Sequence, residues 1–170
     1  TGVSPLAFPP LAGGVIKVNS YEHDEAGITT EDPRQTTVMQ EKRLRKAEYL
    51  ARVLEAVKTV NTYEGEDHGA HAHQTALLCW GSNKGPCFEV GRRLGLKVIQ
   101  PVVLNPFPTR QFQQALAGVE KLITVENNAT AQLGRLIRNY GFQANGKILK
   151  TDGRAFSIEE LEKKVKEAMA

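Results

Sequence analysis

The chain has 170 residues, 41% of them hydrophobic, which is the size of one globular domain with enough apolar side chains to build a core. Its 22 basic and 19 acidic residues leave a net charge of +3, so the composition gives no reason to expect nucleic acid or an anionic membrane as a partner. The longest apolar runs are strand-sized and fall far short of the roughly 20 residues that cross a bilayer. We therefore expect no membrane segment.

The first five residues bear on targeting, and the two cysteines bear on the redox environment of the protein. The start, Thr1-Gly2-Val3-Ser4-Pro5, has neither an initiator Met nor the pattern of a secretory signal, which suggests a piece of a longer polypeptide. Cys79 and Cys87 are the two cysteines, and both fall in apolar surroundings. Two buried thiols fit a reducing, cytoplasmic setting better than a disulfide scaffold.

The N-terminal third is predicted to contain an arm, a short strand and a long helix. Proline-rich residues 1–13 indicate an extended lead-in arm, and residues 14–170 are predicted to form a single α/β domain. Residues 14–19 alternate apolar and polar side chains as a strand does. A polar loop over 20–35 precedes an amphipathic helix over 37–58, whose apolar side chains include Leu44, Ala47, Ala51 and Leu54.

The remaining chain alternates strand-like and helix-like segments after a polar loop over 63–74. Strands are predicted over 75–80, 97–104, 121–126 and 147–150, and helices over 86–94, 109–117 and 130–140. Thr109 is the expected N-cap of the second of these helices, and Ser157 with Glu160 forms a capping box that opens a terminal helix.

This alternation predicts a three-layer α/β/α sandwich with a mostly parallel five-stranded sheet. Sheets covered on both faces have nearly continuous apolar strands. The expected core strand residues are therefore Leu77, Leu78, Ile99, Val103, Ile123 and Val125.

A glycine-containing turn follows the first of these parallel strands, where open α/β sheets bind ligands. Its residues Gly81, Ser82, Asn83, Lys84 and Gly85 are a candidate site for an anion or for contact with another subunit. The turn matches neither dinucleotide nor Walker A fingerprints, so a structural turn or subunit contact is the favoured interpretation. Ser82 or Asn83 is expected to cap the next helix.

We predict no metal or nucleic-acid site at the other polar clusters. The acidic run Glu22-His23-Asp24-Glu25 and the histidines His68, His71 and His73 lack the fixed, convergent ligand sets of metal centres. The basic run Lys42-Arg43-Leu44-Arg45-Lys46 spreads around a helix and indicates a solvated face. We identify no catalytic residue, and we expect neither a metal site nor a cofactor bound by this chain.

Four ordered stretches resemble the alpha subunits of 2-oxoacid:ferredoxin oxidoreductases. They are Thr1 to Pro5; Glu22 to Gly27 with Glu31-Asp32 and Met39 through Lys46; Trp80-Gly81-Ser82 with Gly85-Pro86; and Pro106-Phe107-Pro108 followed by Val125-Glu126-Asn127-Asn128 and Gln132-Leu133. The chain departs from the family pattern at Leu6, where Arg is usual, and at Ala131, where Gly usually precedes Gln-Leu. The loop around His71 is also longer.

The resemblance implies the C-terminal, transketolase-C-like domain of the alpha subunit, with a role in subunit assembly. The complete enzyme would decarboxylate a 2-oxoacid to an acyl-CoA and reduce ferredoxin, using thiamine diphosphate, Mg²⁺ and an iron–sulfur cluster held elsewhere, largely on the beta subunit. The expected partners are the beta subunit and the remainder of the alpha subunit. The alternatives are the C-terminal domain of a transketolase or of a 2-oxoacid dehydrogenase beta subunit, and a stand-alone anion- or nucleotide-binding module.

Overall fold

A computed structural model of the chain describes residues 1–5, 7–10, 12–14, 16, 20–65 and 74–170. They form two compact units, Thr1–Val57 and Lys58–Ala170. The predicted strand over 14–19 lies mostly outside the described residues. The boundary between an arm over 1–13 and a domain over 14–170 stays a prediction. No helix in the described ranges is both long and apolar enough to cross a bilayer.

The first unit contains one long helix, α1 (Pro33–Glu55), which confirms the predicted helix but begins four residues before the expected position 37. It starts early because Asp32 caps it, its Oδ1 accepting from Gln35 N at 2.8 Å, and because proline suits the first helical position. Met39 is its buried residue, whereas Leu44 on the expected apolar face is 67% exposed. The amphipathic pattern therefore predicts the helix correctly, but the apolar face that it defines is not buried.

The second unit contains a five-stranded sheet in the order β1-β3-β2-β4-β5, and it confirms the predicted mostly parallel α/β fold. The strands are β1 (Val60–Tyr63), β2 (Thr75–Leu78), β3 (Lys97–Pro101), β4 (Lys121–Glu126) and β5 (Gly146–Leu149). Only the pairing of β1 with β3 is antiparallel. The sequence analysis missed β1, whose last residue it placed in a loop.

The central strands bury alternate side chains on opposite faces of the sheet, as a period of two requires. Leu77 pairs with Val98 and Ile123 in one core, while Leu78 pairs with Ile99 in the other. Helices α2 (Lys84–Leu94) and α5 (Ile158–Met169) cover the first face; α3 (Thr109–Ala115) and α4 (Gln132–Arg138) cover the second. Two cores separated by one sheet give the predicted three layers.

Five of the six predicted core strand residues are fully buried, and Val103 is the exception. The prediction for Val103 is wrong because β3 ends at Pro101 and the chain leaves the sheet there, with Val102 N donating to Thr59 O at 2.9 Å. Val103 is half-buried beyond the strand.

The expected helix caps are partly confirmed. Ser157 caps α5 by accepting from Glu160 N at 3.1 Å. Thr109 is not the N-cap of α3, because it is already helical and Pro108 occupies the cap position. The Thr109 hydroxyl donates instead to Phe107 O at 3.4 Å.

Candidate functional site

The candidate turn lies at the carboxyl edge of the sheet, as predicted. Strands β2, β3, β4 and β5 are parallel, so their carboxyl ends share one edge. Residues 81–85 follow β2 there as a short 3₁₀ turn (Gly81–Asn83) that continues into α2. Gly81 has a φ of 57°, a left-handed conformation that glycine adopts at low cost.

The expected side-chain cap of α2 is absent from the turn, so that prediction is wrong. Neither Ser82 nor Asn83 makes a side-chain cap, because the 3₁₀ turn already places Asn83 in helical geometry at φ −69° and ψ −12°. The Asn83 side chain is buried and its Nδ2 donates to Val125 O at 3.3 Å. Asn83 therefore ties the turn to the end of β4.

Lys84 is exposed but its ammonium lies over two aromatic rings. Nζ is 5.3 Å from the centre of the Tyr63 ring and 5.8 Å from that of Phe88. These distances are those of cation–π contacts, which are worth about 0.5–1 kcal/mol at exposed sites. This geometry gives Lys84 a structural partner within the chain, whereas an anion or subunit contact at the turn stays a prediction.

A buried carboxylate, which the sequence analysis did not single out, closes the neighbouring part of this edge. Glu126 ends β4 and is fully buried. Its Oε2 accepts from Leu133 N and Asn128 Nδ2, both at 2.8 Å, and its Oε1 accepts from Gly134 N at 3.0 Å. An acidic residue at the end of a run of apolar strand residues is the signal that could have indicated this role. Glu126 supplies acceptors to the start of α4.

Ala131 begins α4 in a left-handed conformation, with φ 50° and ψ 57°. A side chain there is strained, because its Cβ crowds the carbonyl oxygen in this region. Among the residues that the structure describes, no other non-glycine residue has a positive φ. The position at which the family pattern has glycine is thus one whose backbone favours glycine.

The two cysteines lie beside the turn and contact each other. Both are fully buried, and a hydrogen bond that the Cys87 thiol donates to Cys79, together with burial, raises the pKa of Cys87 well above its usual range. A raised pKa keeps Cys87 protonated at neutral pH, so it is a core side chain rather than a reactive thiolate. A cubane cluster needs four thiolates, and the sequence has two cysteines.

The acidic run of the first unit stabilises its own loop. Glu22 accepts two hydrogen bonds from the Arg43 guanidinium, at 2.5 and 2.6 Å. The hydrogen bond from Arg43, followed by that from His23 N, lowers the pKa of Glu22 to about 2. Asp24 Oδ1 accepts from the backbone of Ala26 and Ile28, each at 2.9 Å.

No group of three or more His, Cys, Asp or Glu side chains converges as metal ligands within the described ranges. His68, His71 and His73 lie outside those ranges. The sites that the structure brings together are therefore the turn at 81–85 and the segment from Val125 to Ala131, joined by the Asn83 hydrogen bond.

Comparison with known proteins gives relatives over nearly the whole chain. No protein-family model matches it. It is 30% identical over 171 residues to the alpha subunit of a 2-oxoacid:ferredoxin oxidoreductase from Saccharolobus solfataricus, covering 97% of this chain and 26% of the relative. It is 35% identical over 160 residues to the alpha subunit of 2-oxoacid:ferredoxin oxidoreductase 2 from Aeropyrum pernix, covering 90% of this chain and 24% of the relative.

A solved structure shows the same similarity. The 2-oxoglutarate:ferredoxin oxidoreductase from Magnetococcus marinus, with 2-oxoglutarate, coenzyme A and succinyl-CoA bound, aligns with a TM-score of 0.66 and 25% identity. The alignment covers 99% of this chain and 29% of that one. The chain spans about a quarter of the length of the curated relatives it matches. It is a homologue of 2-oxoacid:ferredoxin oxidoreductase alpha subunits and corresponds to about a quarter of such a subunit.

Proposed function

We propose that this chain is the C-terminal, transketolase-C-like domain of the alpha subunit of a 2-oxoacid:ferredoxin oxidoreductase. The observation that carries the proposal is the 30–35% identity to such subunits over 90–97% of the chain. The assembled enzyme would oxidatively decarboxylate a 2-oxoacid in the cytoplasm. Carbon dioxide leaves, the acyl group passes to the CoA thiol, and two electrons pass to ferredoxin.

The cofactors of that reaction belong to other parts of the assembly. Two buried cysteines and the absence of a ligand cluster among the described residues do not fit a cubane cluster or the Mg²⁺ of thiamine diphosphate. We therefore assign thiamine diphosphate, Mg²⁺ and the iron–sulfur cluster to partner segments, largely the beta subunit, and no catalytic residue to this chain.

The carboxyl edge of the sheet is our candidate for contact with the beta subunit or the rest of the alpha subunit. Trp80, directly before the turn, is 40% exposed, and Val102, after β3, is 50% exposed. Aromatic side chains at interfaces contribute a large share of binding energy, and Trp is enriched among such positions. Two large apolar side chains at the same edge favour a protein partner.

The experiment purifies the assembly through a tag on this chain and identifies its other chains by mass spectrometry. We expect a partner that carries a thiamine-diphosphate motif and cluster cysteines. Trp80→Ala should make the partner dissociate at lower salt than in the wild type. Met169→Ala, which removes another 40% exposed apolar side chain, is the control and should leave assembly unchanged. A tagged chain that purifies without any such partner would contradict the proposal.

A further inference from the structure

A groove of about 340 Å³ lies between α4 and the start of β5. Arg135 and Arg138 of α4, Lys147 of β5 and Thr124 of β4 are among the residues that line it. Small-molecule sites have volumes of roughly 300–1,000 Å³. The groove is therefore large enough for a small ligand.

The charge of the groove is all of one sign. Arg135, Arg138 and Lys147 are exposed, and no acidic side chain lines the groove. None of the three forms an ion pair within the described part of the chain. The Glu126 carboxyl forms no ion pair with them, and its two oxygens accept hydrogen bonds from Asn128, Leu133 and Gly134 instead.

Thr124, one of the residues that line the groove, adds no ligand contact of its own. It is 1% exposed, and its hydroxyl, which has no hydrogen-bond partner among the described residues, has almost no accessible surface. A ligand in the groove would therefore meet the charged side chains and not this hydroxyl.

We propose that this groove binds the diphosphate group of a small molecule. Arginine side chains three apart on a helix are neighbours, so Arg135 and Arg138 present two planar forks to the same ligand. Such forks match the oxygens of phosphate, and three positive charges match the multiple negative charges of a diphosphate better than the single charge of a carboxylate. Lys147 adds the third positive charge from β5.

An acidic segment of a partner protein is the competing occupant. It would meet the same charges, but single carboxylates on a flexible chain match two adjacent guanidinium forks less well than a diphosphate does. The volume of the groove favours the small molecule.

The test titrates the 170-residue chain at low and constant ionic strength by calorimetry, with phosphorus NMR as a second readout. The ligands are inorganic pyrophosphate, ADP, CoA and a glutamate-rich peptide. We expect saturable pyrophosphate binding that is about tenfold weaker in Arg135→Gln and in Arg138→Gln, because each removes charge-assisted hydrogen bonds. Arg110→Gln, which neutralises an exposed arginine on α3, is the matched control and should bind as the wild type does.

Thr124→Val is a second control, because it changes a residue that lines the groove without removing a charge. The variant removes a buried, unpaired hydroxyl with nearly the same shape, so the free chain should be at least as stable as the wild type and should bind pyrophosphate as the wild type does. Tighter binding of ADP or CoA than of pyrophosphate identifies a nucleotide as the source of the diphosphate; equal binding identifies the diphosphate itself. The proposal is overturned if pyrophosphate does not saturate the chain, if the arginine variants bind it unchanged, or if the peptide binds more tightly than every diphosphate.

Discussion

Ala131 introduces backbone strain into the loop that leads into α4. Its φ of 50° is one that alanine adopts only under strain, while Asn128 Oδ1 and the Glu126 carboxylate hold the loop in place through backbone amides. The fixed surroundings explain why the strain persists. A substitution that relieves this strain should therefore raise the free energy of unfolding.

We expect Ala131→Gly to increase the free energy of unfolding by about 0.5–1 kcal/mol, because the relief of the left-handed strain exceeds the added entropy of the unfolded chain. Chemical denaturation of the chain measures it. Ala129→Gly in the same loop is the control: Ala129 does not have a positive φ, so it should lose about 0.4–1 kcal/mol. Equal effects of the two substitutions would show that strain at Ala131 is not the cause.

The pKa of Glu22 gives a second prediction at the scale of one residue. The folded chain holds it at about 2, below its ordinary value of 4.5, so the ion pair stabilises the first unit fully above pH 4.5 and less as the pH falls towards 2. In Arg43→Gln the pKa should rise towards 4.5. An NMR titration of the Glu22 carboxyl carbon measures the change, and Arg45→Gln should leave it near 2. A pKa that stays near 2 in Arg43→Gln would contradict the assignment to this pair.

At the scale of elements, the turn before α2 is stabilised by what it contacts rather than by a cap. Asn83→Ala should lower the free energy of unfolding by about 1 kcal/mol, because it removes the buried hydrogen bond to Val125 O. Ser82→Ala should stay within about 0.5 kcal/mol, because Ser82 is exposed and caps nothing. If Ser82→Ala proved the more costly change in a denaturation experiment, the turn would be capped after all.

Lys84 distinguishes a structural turn from a ligand site. Lys84→Ala should cost about 0.5–1 kcal/mol through the lost contacts with Tyr63 and Phe88. The assembled enzyme that carries it should keep the wild-type KM for CoA and the same salt resistance of its subunits. A severalfold rise in KM for CoA would prove the structural interpretation wrong.

How far the sequence predicts these elements depends on whether their signal is local. Strands β2 and β4 are runs of apolar residues between turns, and Ser157 is followed by Glu160 at the spacing of a capping box, so both could be predicted. Strand β1 is four residues long and has only Val60 buried, so it exists through its pairing with β3. The role of Asn83 likewise depends on Val125, which is 42 residues away.

At the scale of the whole molecule, the chain combines a complete sandwich core with surfaces that lack partners within the described residues. The two cores on either side of the sheet contain the residues that a stable fold needs. The exposed Trp80 and the basic groove are not explained by that core. The chain spans about a quarter of the length of its relatives. Surfaces without partners are expected in such a segment, because the groups that contact them would lie in other segments of the subunit.

The measurement that tests the central claim most directly is 2-oxoacid-dependent reduction of ferredoxin, or of a viologen dye, by the assembly purified through this chain. The account predicts reduction that requires both a 2-oxoacid and CoA, in a preparation that contains thiamine diphosphate and iron. The isolated chain should not reduce the dye or gain the broad visible absorption of a cubane cluster after reconstitution with iron and sulfide. An assembly that lacks thiamine diphosphate and shows no such reduction, or an isolated chain that gains the cluster absorption, would contradict it.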